Sequence, residues 1–260
     1  MIDLHNHLIP GVDDGAADAA EARAGVEAMA AQGVDRLVCT PHVNGSLTRE
    51  PRLLAERLAE LDDGWAALQE AVRGGPAVEL ARGAEVMLDT PEPDLSDPRL
   101  RLAGTRYVLV EFPFMNVPPN GQNALFELSM RGWRPILAHP ERYANARADL
   151  HDAGEWRRVG AVLQVNAGSL IGRYGKQAET LAWGLLERGW ADLLGSDYHA
   201  RNRLALAEAR AALEARGAGE QAALLMDVNP ARLLDGRDPL EVPPVAKQSG
   251  WRRLFGLAGR

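Results

Sequence analysis

Five of the six histidines stand at the ends of short apolar runs, in the company of carboxylates. They are His5 and His7 in Leu-His-Asn-His, His42 in Thr-Pro-His, His139 in Ala-His-Pro-Glu-Arg-Tyr and His199 in Ser-Asp-Tyr-His. Asp13 and Asp14 follow the first run, Glu85 ends Gly-Ala-Glu, Glu111 sits in Val-Leu-Val-Glu-Phe, and Asp197 is two residues before His199. On a strand, positions i and i+2 share a face, so His5 and His7 form one pair and Asp197 and His199 another. Imidazole and carboxylate together suit Zn²⁺, Mn²⁺ or Fe²⁺, and a carboxylate can bridge two ions. Taken singly, each histidine reads as an ordinary core or loop residue; five on one expected face do not. Glu111 between Val110 and Phe112 argues the same way, because an unpaired buried carboxylate is costly. His151 falls off the pattern and reads as surface, Cys39 as packing in an apolar strand, and Asn166 either as pocket lining or as a partner for loop backbone.

The elements that would carry these residues alternate in type. Strands are expected over Met1–His7, Arg36–His42, Val78–Leu88, Tyr107–Phe114, Pro135–His139, Val162–Asn166 and Ala191–His199, with helices over Ala17–Gln32, Arg52–Val72, Gly121–Arg131, Lys176–Arg188 and Leu204–Arg216. Gly33, Gly132, Gly189 and Gly217 follow final helical turns, where a left-handed cap is expected. Such alternation implies βαβ units and a parallel sheet, and seven strands suggest a closed or nearly closed barrel. No Gly-x-Gly-x-x-Gly turn follows the first strand, which weighs against an open dinucleotide-binding sheet. In a parallel barrel all strand C-termini open on one face, where residues distant in sequence converge.

With 260 residues the chain can form one large domain. Its net charge of −7 disfavours nucleic acid as the main partner, although buried metal-binding acids would contribute to that value. One cysteine, Cys39, leaves no intramolecular disulfide and no thiolate zinc cage. The opening residues carry no basic leader and no apolar run approaches a membrane span, so a cytoplasmic location is expected. From Arg237 the composition shifts to a Pro-rich linker and a short basic, aromatic tail, giving a division at 1–236 and 237–260. In that tail Trp251, Leu254 and Phe255 share one helical face beside Arg252 and Arg253. The bland reading is a frayed or surface-packed terminus; the sharper one is weak docking on an anionic membrane surface or on a partner protein.

Taken in order, these motifs resemble the PHP (polymerase and histidinol phosphatase) superfamily. The pieces Met1-Ile2-Asp3-Leu4-His5-Asn6-His7, Val12-Asp13-Asp14-Gly15 and His139-Pro140-Glu141-Arg142-Tyr143 look most like its bacterial metal-dependent protein tyrosine phosphatases of capsule and exopolysaccharide synthesis. The resemblance runs from residue 1 to about 235, ending near Asn229-Pro230-Ala231-Arg232. It implies an α/β fold of distorted seven-stranded barrel type and a site for three divalent ions, Mn²⁺, Fe²⁺ or Zn²⁺. His5, His7, Glu85 and Asp197 would hold the first; Glu85 would bridge to a second held by Glu111 and His139; Asp14, His42 and His199 would hold the third. Arg142 would bind substrate phosphate, joined by a second arginine from the loop after Ser-Asp-Tyr-His. In Ala200-Arg201-Asn202-Arg203 either Arg201 or Arg203 fits that place.

The implied activity is hydrolysis of phosphotyrosine on a protein, a bacterial tyrosine kinase controlling polysaccharide synthesis. The alternative is a small-molecule phosphatase of histidinol-phosphate type or another PHP phosphoesterase; acidic charge disfavours a nuclease. A non-catalytic metal-binding domain is disfavoured because every implied ligand is present.

Overall fold

The computed structural model describes residues 1–201 and 203–247; the tail segment containing Trp251, Leu254 and Phe255, and the docking reading attached to it, lie outside the described residues. The strands are β1 (Ile2–Asp3), β2 (Arg36–Cys39), β3 (His42–Asn44), β4 (Glu79–Arg82), β5 (Glu85–Met87), β6 (Tyr107–Glu111), β7 (Arg134–Ala138), β8 (Val162–Asn166) and β9 (Leu193–Gly195). They alternate with helices α1 (Ala19–Ala31), α2 (Pro51–Ala71), α3 (Gly121–Met130), α4 (His151–Arg158), α5 (Ala167–Leu170), α6 (Gly175–Leu186), α7 (Leu206–Glu214), α8 (Gly219–Ala223) and α9 (Asn229–Leu234). Every strand pair is parallel.

The expected single barrel sheet of seven strands is not what forms. Among the described residues, nine strands make two sheets, ordered β1-β2-β4 and β3-β5-β6-β7-β8-β9. Two of the expected runs break in the middle. The run over 36–42 stops at Thr40-Pro41, where Pro41 has no N–H to give a ladder, and the Thr40 N–H turns to the Asn6 carbonyl at 2.9 Å. The run over 78–88 stops at Gly83, against which the Leu102 backbone packs so closely that an added Cβ would lie 3.1 Å from the Leu102 Cα. The first and last segments are joined only by an isolated bridge between Asn6 and Tyr198, with hydrogen bonds from Asp197 N to His5 O and from His7 N to Tyr198 O, both 2.9 Å. Asp3 reinforces that seam: buried, it accepts hydrogen bonds from Asn6 Nδ2, Ser196 N and Ser196 Oγ.

Side-chain alternation along the strands explains the two cores. Leu4, Val38, Leu109, Ile136, Ala138, Val162 and Leu193 form one cluster drawn from strands of both sheets. Val108, Val110, Leu137, Leu163, Val165 and Leu194, one position out of phase, belong to the larger cluster shared with the helices. Helix ends follow local chemistry. Asp18 caps α1 by accepting from Ala20 N and Glu21 N, Pro51 opens α2, and Gly33, Gly132, Gly189 and Gly217 all adopt the left-handed backbone expected of them. The segment read as a linker lies against the domain over its described part: Val242 and Val245 are buried, and Val245 N donates to Leu186 O at 2.9 Å. No helix of the described residues is long and apolar enough to cross a membrane.

Candidate metal centre

All nine residues read as ligands meet at one end of the strands. His5 and His7 follow β1, Asp14 lies in the next loop, His42 opens β3, Glu85 opens β5, Glu111 closes β6, His139 follows β7, and Asp197 and His199 follow β9. Register brings several together directly, with His42 opposite Glu85 and Met87 opposite Glu111. The side chains fall into four overlapping groups: His7, Asp14, His42, His199; His5, Glu85, His139; His5, His7, Asp197; and His42, Glu85, Glu111.

The interatomic distances have a physical signature. His5 Nε2 is 3.2 Å from Glu85 Oε2 and 3.4 Å from Asp197 Oδ1, and His7 Nε2 is 3.5 Å from the same two oxygens. His139 Nε2 is 3.1 Å from Glu85 Oε1, His42 Nδ1 is 3.2 Å from Glu85 Oε2 and 3.3 Å from Glu111 Oε1, and His199 Nε2 is 3.3 Å from Asp14 Oδ1. Two donors each about 2.1 Å from one ion, at tetrahedral or right angles, stand roughly 3.0–3.5 Å apart. The spacing is that of groups able to share a cation.

Protonation sharpens the argument. Gln164 Nε2 donates to Val165 O and to Asn166 Oδ1, so its Oε1 is the acceptor, 2.6 Å from His5 Nδ1. His5 therefore carries its proton on Nδ1. His7 Nδ1 meets Asp13 Oδ2 at 2.8 Å and must carry its proton there too. In the neutral rings both Nε2 lone pairs then face each other at 3.4 Å, beside two carboxylates. Glu85 Oε2 is fully buried, with no hydrogen-bond partner among the described residues. Electron-rich atoms converge in this way only around positive charge, and the chain supplies it by holding protons when no ion is bound. Burial lowers the His5 pKa, but Glu85 and Asp197 outweigh burial and raise it to about 9. Against their burial, His7 is raised by Asp13, Asp197 and Glu85, and His42 by Glu111 and Glu85. Burial pushes Glu85 and Asp197 up, yet the surrounding imidazoles hold both below the usual carboxylate range. The donor set fits divalent cations.

Residues outside the expected ligand set orient it. Asp13, in the loop with Asp14, bonds His7 and also accepts from Gly15 N and His42 N; burial opposes its ionisation, but the His7 contacts hold its pKa at about 2. On β8, Gln164 Oε1 accepts the hydrogen bond from His5 Nδ1 and Gln164 Nε2 donates to Asn166, and Asn166 Nδ2 donates to Asp197 Oδ2 at 2.8 Å. Asn166 thus meets neither reading given for it: it is buried and bonds two side chains, those of Gln164 and Asp197. Polar residues at alternate positions of Val-Leu-Gln-Val-Asn were the signal that could have found both. Two ligand positions are backbone-strained: His139 has φ 38° and Asp197 φ 50°, a conformation that persists where surrounding contacts enforce it.

An open cavity of about 510 Å³ lies over the cluster, and Arg142 is in its wall. Its guanidinium is ion-paired with Asp197 and stacks 4.0 Å from the Tyr174 ring centroid. Tyr174 was not foreseen. Of the two candidate second arginines, Arg201 lines the cavity, whereas Arg203 does not and pairs with Glu208 on α7. His151 begins α4, more than half exposed and away from the cluster. Cys39 is buried in the core, and burial pushes its thiol pKa up, so no thiolate nucleophile is available.

Comparison with known proteins gives a consistent result. Tyrosine-protein phosphatase YwqE of Bacillus subtilis (strain 168) is 31% identical over 261 residues, covering 99% of this chain and all of the relative. Tyrosine-protein phosphatase CpsB of Streptococcus pneumoniae is 28% identical over 207 residues, 76% of this chain and 83% of the relative. A solved structure, one of those described as YwqE from Bacillus subtilis and CpsB from Streptococcus pneumoniae, unique metal-dependent tyrosine phosphatases, matches with a TM-score of 0.78 at 30% identity, covering 96% of this chain and 100% of the other. The family model for capsular polysaccharide synthesis, CpsB/CapC, matches residues 1–235. The chain belongs to the CpsB/CapC family.

Proposed function

We propose that this chain is a metal-dependent protein-tyrosine phosphatase that hydrolyses phosphotyrosine on a bacterial tyrosine kinase controlling polysaccharide synthesis. The observation that carries the reading is the convergence of imidazole nitrogens and buried carboxylates beneath a cavity whose wall holds Arg142. In this reading His5, His7, Asp14, His42, Glu85, Glu111, His139, Asp197 and His199 would hold three divalent ions, Mn²⁺, Fe²⁺ or Zn²⁺. When bound, such ions polarise phosphoryl oxygens and lower the pKa of a water towards about 7.

The remaining chemistry belongs to the chain. Asp14, Glu85, Glu111 and Asp197 carry four negative charges, fewer than the positive charge of three divalent ions, so the loaded pocket attracts a phosphate dianion despite the acidic protein. Arg142 is suited to clamp phosphoryl oxygens: one N–H is spent on Asp197, stacking on Tyr174 fixes the plane, and the fork keeps further donors. Arg201, in the same wall, is the second phosphate ligand in this reading. A tyrosine phenol, with a pKa near 10, is a better leaving group than an alkyl alcohol and lessens the need for a general acid. The test is an activity profile of the metal-loaded chain over a phosphotyrosyl peptide, the matching phosphoseryl peptide, histidinol phosphate and an oligonucleotide. Preference for the phosphotyrosyl peptide is expected; preference for histidinol phosphate would favour the small-molecule reading.

A further inference from the structure

The cavity over the candidate metal ligands is lined mostly by His, Asp, Glu and Arg side chains. Among the described residues lining it, Phe114, Met115 and Tyr174 are the ones of other type, and the Tyr174 face is covered by the Arg142 guanidinium. Phe114 is 90% exposed, the most exposed large hydrophobic side chain among the described residues. Its position is enforced by the backbone. Phe114 and Met115 have φ 55° and 53°, two successive left-handed residues that are not glycine.

Hydrogen bonds pin the turn on both sides. Tyr143 Oη accepts from Phe112 N at 3.0 Å, Asn116 N donates to Pro113 O at 3.1 Å, and Asn116 Nδ2 donates to Phe114 O at 2.7 Å. Beyond it, Ala144 N donates to Met115 O at 2.9 Å, and Asn145 exchanges two hydrogen bonds with the Val117 backbone. A floppy loop would let an aromatic ring fold back onto apolar surface; this one holds the ring in water beside a phosphate-binding site. Strained backbone fixed by surrounding contacts is characteristic of functional positions, and an exposed apolar group at a pocket marks where a ligand's apolar part lies.

We propose that Phe114, with Met115 beside it, is the wall against which the phenyl ring of a bound phosphotyrosine packs, and so selects aryl over alkyl phosphates. The inference rests on the phosphotyrosine reading given above and assigns its specificity to a named residue. A phosphoserine has no ring to reach the mouth, so its binding draws nothing from Phe114. Offset or edge-on packing of one aromatic ring on another adds to the area it buries.

The experiment uses the metal-loaded full chain, Phe114→Ala and Phe114→Tyr. It measures kcat and KM for a phosphotyrosyl peptide, and inhibition constants for inorganic phosphate and for a phosphoseryl peptide of the same sequence. Phe114→Ala is expected to raise KM for the phosphotyrosyl peptide about tenfold with little change in kcat. Both inhibition constants should stay at wild-type values, which also shows the site intact, and Phe114→Tyr should restore the wild-type KM. An unchanged KM in Phe114→Ala, or a rise matched in both inhibition constants, overturns the proposal while leaving the phosphatase reading standing. A wild-type chain inactive on the phosphotyrosyl peptide overturns both.

Discussion

His5 and His7 are each oriented through Nδ1, but by partners of different charge: an amide oxygen of Gln164 for one and the Asp13 carboxylate for the other. Such outer contacts fix the tautomer and raise ligand basicity, and their loss typically weakens metal binding about 10- to 100-fold. Asp13→Asn, which keeps the shape and removes the charge, is expected to lower affinity by that amount in chelator competition; wild-type affinity would show that Asp13 does not tune His7. Glu85 touches His5, His7, His42 and His139 within 3.5 Å, so Glu85→Gln should release more than one ion per chain by elemental analysis. His151→Ala, far from the cluster, should release none. Arg142→Lys keeps a charge but loses the planar fork and the stacking on Tyr174. A fall in kcat/KM of roughly 10- to 100-fold, about 1.4–2.7 kcal/mol, is expected with metal content near wild type; normal kinetics would remove Arg142 from the phosphate site.

The elements explain which of these residues the sequence reveals. The longer helices α1, α2, α3, α6 and α7 were legible because a period near 3.6 and a terminal glycine act within one segment, as at Gly33 after α1. The short α4, α5, α8 and α9 were not among those expected. The clustering of the candidate ligands was legible because histidine and carboxylate recur at the ends of the apolar runs. The breaks at Pro41 and Gly83 were not, because they depend on which strand pairs with which and on the Leu102 backbone packing from elsewhere. Gln164 and Asn166 were only half legible: their alternation marks one strand face, but neutral amides do not declare a partner. Tyr174 was invisible, since only tertiary packing brings it to Arg142. The Asp13–Asp14 loop shows how tightly an element can constrain a site. A Cβ on Gly15 would fall 1.9 Å from His7 O and 2.5 Å from His7 Cβ. Gly15→Ala must therefore push this loop off His7, and weaker metal binding with a lowered Tm is expected; wild-type values for both would show that the loop does not hold the site.

Across the whole molecule, an acidic chain gathers five of its six histidines around Asp14, Glu85, Glu111 and Asp197, and pH governs what fills that space. His5, raised to about 9 without an ion, is protonated at neutral pH, and metal must displace that proton. Metal affinity is therefore expected to climb with pH up to about 9. Because the folded pKa lies above the ordinary imidazole value of 6.5, the stability this proton confers on the metal-free fold is fully present below about 6.5 and is lost as pH rises through about 9. Melting curves of chelated protein at the two ends of that window should show the lower Tm at the alkaline end. The central claim, that hydrolysis runs on the bound ions and needs no thiol, is tested most directly by following phosphotyrosyl-peptide turnover against metal content during exhaustive chelation and re-addition, in wild type and in Cys39→Ala. The account predicts that activity falls to background as metal leaves, returns as Mn²⁺ or Zn²⁺ is restored, and does so in both proteins. Full turnover in protein shown by elemental analysis to be metal-free, or its loss on replacing Cys39 in a folded, metal-loaded chain, would contradict it.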